Sequence, residues 1–147
     1  MKWVVVALLV FSAAVGAGVY LLQGVGRGSG IEIDWRLLNQ MDYITQTAPT
    51  ELKQLDGQRV KMPGFMVPLE DEQRRVTEFL LVPTPQACIH VPPPPPNQMV
   101  YVRMKKGTEN RQGAPIWVYG QFKIATVKSQ YGEVSFEMEV DLVEDYQ

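Results

Sequence analysis

Val134-Ser135-Phe136-Glu137-Met138-Glu139-Val140-Asp141-Leu142 reads as one β-strand. Val134, Phe136, Met138, Val140 and Leu142 alternate with Ser135, Glu137, Glu139 and Asp141, the period of two that sends one set of side chains into a core and the other into water. A slip of one residue would expose the whole apolar set, so the pattern also fixes the pairing register. Glu137, Glu139 and Asp141 line the wet face, where carboxylates ordinarily serve solubility.

Upstream the same alphabet recurs between turn residues. Residues 116–127 place Ile116, Val118, Gly120, Phe122 and Ile124 on one side and Trp117, Tyr119, Gln121 and Lys123 on the other. Packing against helices would account for Trp117 and Tyr119. Residues 99–104 alternate Val100, Val102 and Met104 with Tyr101 and Arg103, and residues 77–82 are short and nearly all apolar. Residues 58–68 carry Val60, Met62, Phe65 and Val67, with Pro63-Gly64 interrupting the alternation as a bulge or sharp bend would. Arg103, Lys105, Lys106 and Arg111 surround Gly107, where a solvated turn is expected.

Two short helical pieces precede the strands. Asp34 is placed to cap a helix through Ile44, because Trp35, Leu38 and Met41, with Leu37 and Ile44 beside them, share a face. Pro49 opens a second turn through Leu55, stopped by Asp56-Gly57. Five strands, with Gly120 allowing a sharp bend in the long fourth one, predict a small, partly open Greek-key barrel of the oligonucleotide/oligosaccharide-binding (OB) kind. A β-sandwich is the runner-up.

Residues 3–22 are twenty residues without a charge, and at about 1.5 Å each they cross a hydrocarbon core of about 30 Å. Small residues at Ala13, Ala14, Gly16, Ala17 and Gly18 offer cleavage positions, yet Val19, Tyr20, Leu21 and Leu22 carry the apolar run past them, which favours a retained anchor over a cleaved signal. No cysteine stands at the end of this leader, excluding lipid attachment there. With the N-terminus taken as cytoplasmic, the domain faces the periplasm from the inner membrane, or is released into the periplasm if the leader is cut. Gly24, Gly26, Gly28, Ser29 and Gly30 form a flexible tether. The organisation expected is therefore an anchor and tether over residues 1–30 and one domain over 31–147.

Hydrophobic residues at 46% and charged residues at 20% are ordinary for a packed domain and exclude disorder. Removing Lys2 and Arg27 with the leader leaves 12 basic against 16 acidic residues, a balance of −4. An acidic surface in this compartment argues against nucleic acid as a partner.

One loop carries reactive chemistry. Cys88-Ile89-His90-Val91 is followed by Pro92, Pro93, Pro94, Pro95 and Pro96, then Asn97-Gln98. Five prolines form a stiff polyproline II rod that is cheap to hold against a surface, suited to an aromatic-lined groove. A rigid connector between strands is the plainer role. In an extended chain Cys88 and His90 point to one side with Cα atoms about 6.5–7 Å apart. Three readings stay open. Cys88 is a small buried hydrophobe and His90 a hydrogen-bonded post; or the pair holds zinc or copper, with further ligands from Glu70, Asp71, Glu72 or a partner; or Cys88 attacks a substrate with His90 as base. The only cysteine in the chain is Cys88, which excludes an internal disulfide.

Leu55-Asp56-Gly57-Gln58-Arg59-Val60-Lys61-Met62-Pro63-Gly64-Phe65-Met66-Val67-Pro68-Leu69-Glu70, Phe79-Leu80-Leu81-Val82-Pro83 and the Cys-Ile-His-Val-polyproline-Asn-Gln string together resemble the bacterial envelope family labelled domain of unknown function 3299, over about residues 52–142. The resemblance implies an exported Gram-negative protein with an OB-like barrel and no assigned activity, in the neighbourhood of export-type transporters and metal-handling periplasmic proteins. Where the family has an aromatic and a glycine before Ala-Cys, this chain has Thr84-Pro85-Gln86. The functional expectation is a non-enzymatic, membrane-anchored periplasmic binding or accessory module, acting through residues 88–98 on a membrane partner such as a transporter complex. The alternatives are a zinc- or copper-handling protein and, after it, a thiol enzyme.

Overall fold

The computed structural model describes residues 28–71, 74–85 and 92–147. Among them, β1 (Ile31–Glu32), α1 (Trp35–Leu38), α2 (Thr50–Gln54), β2 (Arg59–Pro68), β3 (Arg75–Val82), a 3-10 turn (Pro96–Gln98), β4 (Val100–Glu109), β5 (Pro115–Ser129) and β6 (Gly132–Asp145) follow in order. The apolar run 3–22 lies outside the described residues, and no described helix is long and apolar enough to cross a membrane.

The strands form one six-stranded sheet in the order β1-β2-β3-β4-β6-β5, and β2 also pairs with β5. β1/β2 and β4/β6 are parallel; the other pairs are antiparallel. The architecture is mainly β, a mixed six-stranded sheet with short helices; it is not a clean barrel, and it has six strands where five were expected. The strand that the sequence concealed is β1, because two residues carry no readable period. It lies beside Val60 and Lys61. A Cβ on Gly30 would stand 2.7 Å from the Val60 carbonyl carbon, and Arg59 Nε donates to the Ser29 carbonyl at 2.9 Å. Ser29 and Gly30, expected in the tether, are therefore docked on the domain.

Val60, Met62, Phe79, Leu81, Val100, Val102, Phe122, Phe136 and Met138 form the main core, closed by Leu38 and Leu52 from the helices. Phe122 and Phe136 meet at 5.4 Å between ring centres. Pro63-Gly64 makes no bulge: β2 keeps strict alternation through it, and Gly64 takes an inward position where a Cβ would come within 2.7 Å of the Leu81 side chain. Met66 consequently faces the core, whereas Phe65 and Val67 face outward. One register shift sits at Gly120. Tyr119 pairs Leu142 while Gly120 pairs Val140, so one extra residue in β6 hands the inward place from Leu142 to Val143.

Asp34 caps α1 as expected, its Oδ1 accepting from Leu37 N at 3.0 Å, but the helix stops at Leu38. Asp42 accounts for part of this. Its Oδ1 accepts from Ile44 N and Thr45 N at 2.9 and 3.1 Å, and its backbone bridges to Thr47, turning the chain into a tight loop. Ile44, expected on the packed face, is 82% exposed at the loop tip. Gly107 lies within β4, not in a turn, inside a register shift in which β3 advances two residues from Val76 to Glu78 while the partner in β4 steps back five, from Thr108 to Arg103.

Candidate binding surface

β3 ends at Val82 and β4 begins at Val100, and their facing ends pair through Leu81 and Val100. The connection between them carries the proline run. Cys88 and His90, the expected metal ligands, lie outside the described residues. Pro92, Pro93 and Pro95 are exposed, and Pro94 and Pro96 are half-buried. Pro95 has φ −62° and ψ 156°, which is polyproline II backbone.

The end of the run is pinned. Asn97 is 5% exposed, and its Nδ2 donates to the carbonyls of Asn39 and Met41 at 3.3 and 3.0 Å. Gln98 Nε2 donates to the Trp35 carbonyl and to Asn39 Oδ1, at 3.5 and 3.4 Å, while Gln98 N donates to the Pro95 carbonyl at 2.8 Å. Asn97 and Gln98, grouped with the prolines as partner-binding residues, thus spend their amides on the segment around α1. Among the described residues Asn97 Oδ1 finds no partner, an uncommon state for a buried acceptor.

Sequence reasoning missed the surface next to this loop. Leu80, Val82, Met99, Tyr101 and Val134 form a second buried cluster separate from the main core, flanked by Phe65, Val67, Leu69, Val127 and Tyr131. Phe79-Leu80-Leu81-Val82 was its signal, since a run without alternation belongs to a strand covered on both faces. Its rim is polar. Tyr101 Oη donates to Glu78 Oε2 at 3.0 Å, and burial first, then this bond, raises the phenol pKa. Arg103 stacks over Tyr101 at 4.9 Å and pairs with both Glu78 and Glu137.

The charge ladder continues from there. Lys123 meets Glu139 at 3.0 Å and lowers its pKa, and Arg59 grips Asp141 with two bonds of 3.0 and 2.8 Å. The wet face of β6 is therefore a set of ion pairs, and Glu137 is only 12% exposed at its side chain. An open groove of about 850 Å³ runs along it, lined by Arg59, Glu78, Arg103, Lys105, Glu139 and Asp141 among others. Glu70, offered above as a further metal ligand, accepts from Thr77 N at 3.0 Å and from the Thr77 hydroxyl, which lowers its pKa. Asp71 is exposed, and Glu72 lies outside the described residues. Among the described residues no three His, Cys, Asp or Glu side chains gather as a metal site would require.

Trp117 finds its ring partners away from the helices. It stacks on Tyr146 at 5.0 Å and lies under Lys61 Nζ at 4.7 Å. Tyr119 is buried, which raises its pKa, with a hydrogen bond to Glu144 adding to the rise.

The family model described as protein of unknown function DUF3299 matches residues 32–145. The chain belongs to this family. A crystal structure of a DUF3299 family protein from Pseudomonas aeruginosa is 35% identical, with a TM-score of 0.67 over 82% of this chain and 98% of that one. No curated protein matches the chain. The match starts at Glu32 and ends at Asp145, so it takes in all of β2 to β6, the long strands that carry the sheet.

Proposed function

We propose that this DUF3299 chain is a non-enzymatic binding module, held to the inner membrane by residues 3–22 and facing the periplasm, that presents its proline ridge to a membrane-protein partner such as a transporter complex. The observation that carries the reading is the combination at one loop: exposed Pro92, Pro93 and Pro95, polyproline II backbone at Pro95, and a buried Asn97 fastening the end of the run. A rod fixed before binding loses little conformational entropy when it docks, so its affinity is not spent on ordering. An aromatic-lined groove is the complementary surface.

Strands β2 to β6 we read as an OB-like Greek-key arrangement. Supporting this, β2 pairs β3, β3 pairs β4, β4 pairs β6 in parallel, β6 pairs β5, and β5 returns to β2. In such folds the outer face of the second and third strands is the usual binding face. Here those strands are β3 and β4, and their outer face holds the second apolar cluster and the Tyr101–Glu78–Arg103 rim. The loop that carries the ridge joins β3 to β4, the two strands that bear this face.

The test places a photo-crosslinking residue at Pro93 in the full chain within intact cells. The reading predicts a discrete membrane-protein adduct, lost when Pro94 and Pro95 become glycine while the circular dichroism spectrum stays unchanged. An adduct of equal yield from the glycine variant would contradict it.

A further inference from the structure

The sheet opens where β4 and β6 part. Their parallel pairing runs from Val100 with Phe136 to Met104 with Val140 and stops there. Beyond that point β4 stays with β3 through Thr108 and Glu109, while β6 stays with β5 through Leu142, Val143, Glu144 and Asp145. Among the described residues nothing pairs with the other edge of β6 over residues 141–145. Tyr146 N donates to the Pro115 carbonyl at 3.1 Å, and this bond sets the phase of the β5–β6 ladder. In an antiparallel pair alternate residues exchange their bonds with the partner strand, so Leu142 and Glu144 form theirs with Tyr119 and Trp117. Val143 and Asp145 turn their N–H and C=O groups to the fork.

The fork has room for a chain. The groove of about 850 Å³ enters it at Met104, Gly107 and Val140, and a second open cleft of about 570 Å³ reaches Val143, Glu144 and Asp145 further along β6. Met104 and Val143 each keep 8% of their surface where their core neighbours Val102 and Val118 keep none, so the fork has an apolar floor. Unopposed charge ordinarily guards an exposed strand edge. The carboxylates of β6 are already tied, Asp141 to Arg59, Glu144 to Tyr119 and Asp145 to Arg111. Across the fork Lys105 and Lys106 are exposed and hold no ion pair among the described residues. The unmet groups at the fork are therefore main-chain hydrogen-bonding groups on one side and two ammonium charges on the other.

We propose that the fork between β4 and β6 takes an extended, acidic segment of a partner protein as an added strand on the free edge of β6. Main-chain bonds to Val143 and Asp145 hold the segment, its apolar residues at alternate positions pack on Met104 and Val143, and the aspartates or glutamates between them meet Lys105 and Lys106. The site is separate from the proline ridge: the ridge precedes β4, whereas the fork lies beyond Met104. Either reading can therefore fail alone.

The experiment follows amide hydrogen exchange in the full chain by nuclear magnetic resonance, with three probes at millimolar concentration: a peptide of alternating valine and glutamate, one of alternating valine and lysine, and the first peptide N-methylated along its length. The valine–glutamate peptide should slow exchange at Val143 and Asp145 several-fold while Leu142 and Glu144, already bonded to β5, stay unchanged, and the N-methylated peptide should slow neither. In the double variant Lys105→Glu, Lys106→Glu the preference should pass to the valine–lysine peptide. Equal slowing by both charged peptides in the native chain overturns the acidic class of partner. No slowing at Val143 and Asp145, slow exchange there before any peptide is added, or slowing that grows with the concentration of the chain alone and so marks a second copy on the edge, overturns the proposal.

Discussion

Gly120→Ala should unfold this protein more readily than any other glycine-to-alanine change at a described position outside the tether. A Cβ at position 120 would stand 2.2 Å from the Glu139 carbonyl oxygen and 2.8 Å from the Glu139 carbonyl carbon and the Val140 Cα. All three atoms are backbone, so no side chain can rotate away, and the β5–β6 ladder must part around the register shift at Tyr119 and Gly120. Overpacking of this kind costs about 3 kcal/mol. The stiffer unfolded chain of the alanine variant offsets this by about 0.7 kcal/mol. At about 4 °C per kcal/mol for a domain of this size, the melting temperature falls by about 10 °C. Gly57→Ala is the control: φ is +81°, but nothing lies within 4 Å, so only the left-handed backbone opposes it, at about 1 kcal/mol, again with the same offset. Thermal unfolding followed by circular dichroism measures both. A Gly120→Ala variant that melts no lower than Gly57→Ala would refute the close approach of β5 to β6.

Asn97→Ala removes two donations to carbonyls that are then left without them, and should destabilise the domain by about 2 kcal/mol, read from urea unfolding; an unchanged midpoint would mean that Asn97 does not pin the ridge. Glu70 and Glu139 are held below the ordinary carboxylate value of 4.5, by Thr77 and Lys123 respectively, so their contribution is present above that value and lost as the pH falls through their folded values. Melting temperature should accordingly be flat near neutrality and drop below about pH 4.5, less steeply in Glu70→Gln; an identical acid limb in that variant would remove Glu70 from the account. Calorimetric titration of the reduced chain with zinc and copper(I) should give no stoichiometric binding, whereas tight binding abolished by Cys88→Ala would favour the metal-handling alternative.

Much of the sheet was legible because its strands have one wet face. β6 and β5 announce themselves by alternation, whereas Gly120, read from sequence as the site of a sharp bend, proves to be where the β6 backbone comes close at a register shift. Other features are set by partners that no local pattern reveals. β1 is two residues long and exists because β2 offers it an edge. The helix expected through Ile44 fails once the Asp42 carboxylate takes the amides of Ile44 and Thr45. Pro63-Gly64 looked like a break in β2, but Gly64 leaves room for Leu81, a residue seventeen positions away.

The candidate surface was half visible for similar reasons. Prolines declare a rod by themselves, so the ridge could be placed from sequence. The fastening of Asn97 to Asn39 and Met41 spans more than fifty residues and has no local mark. The apolar cluster outside the main core was marked only by the unalternating Phe79-Leu80-Leu81-Val82, because Tyr101 reads as ordinary alternation in β4. Trp117 was readable as an outward residue, while its partner Tyr146 follows the last strand and carries no period.

The measurement that bears most directly on the binding-module reading is capture through the ridge in intact cells. A crosslinker at Pro93 should yield one membrane-protein adduct in the native chain, and substitution of Pro94 and Pro95 by glycine should abolish it without changing the melting temperature by more than a few degrees. The same adduct at full yield from the glycine variant would contradict the account, since a partner indifferent to the rod cannot be recognising it.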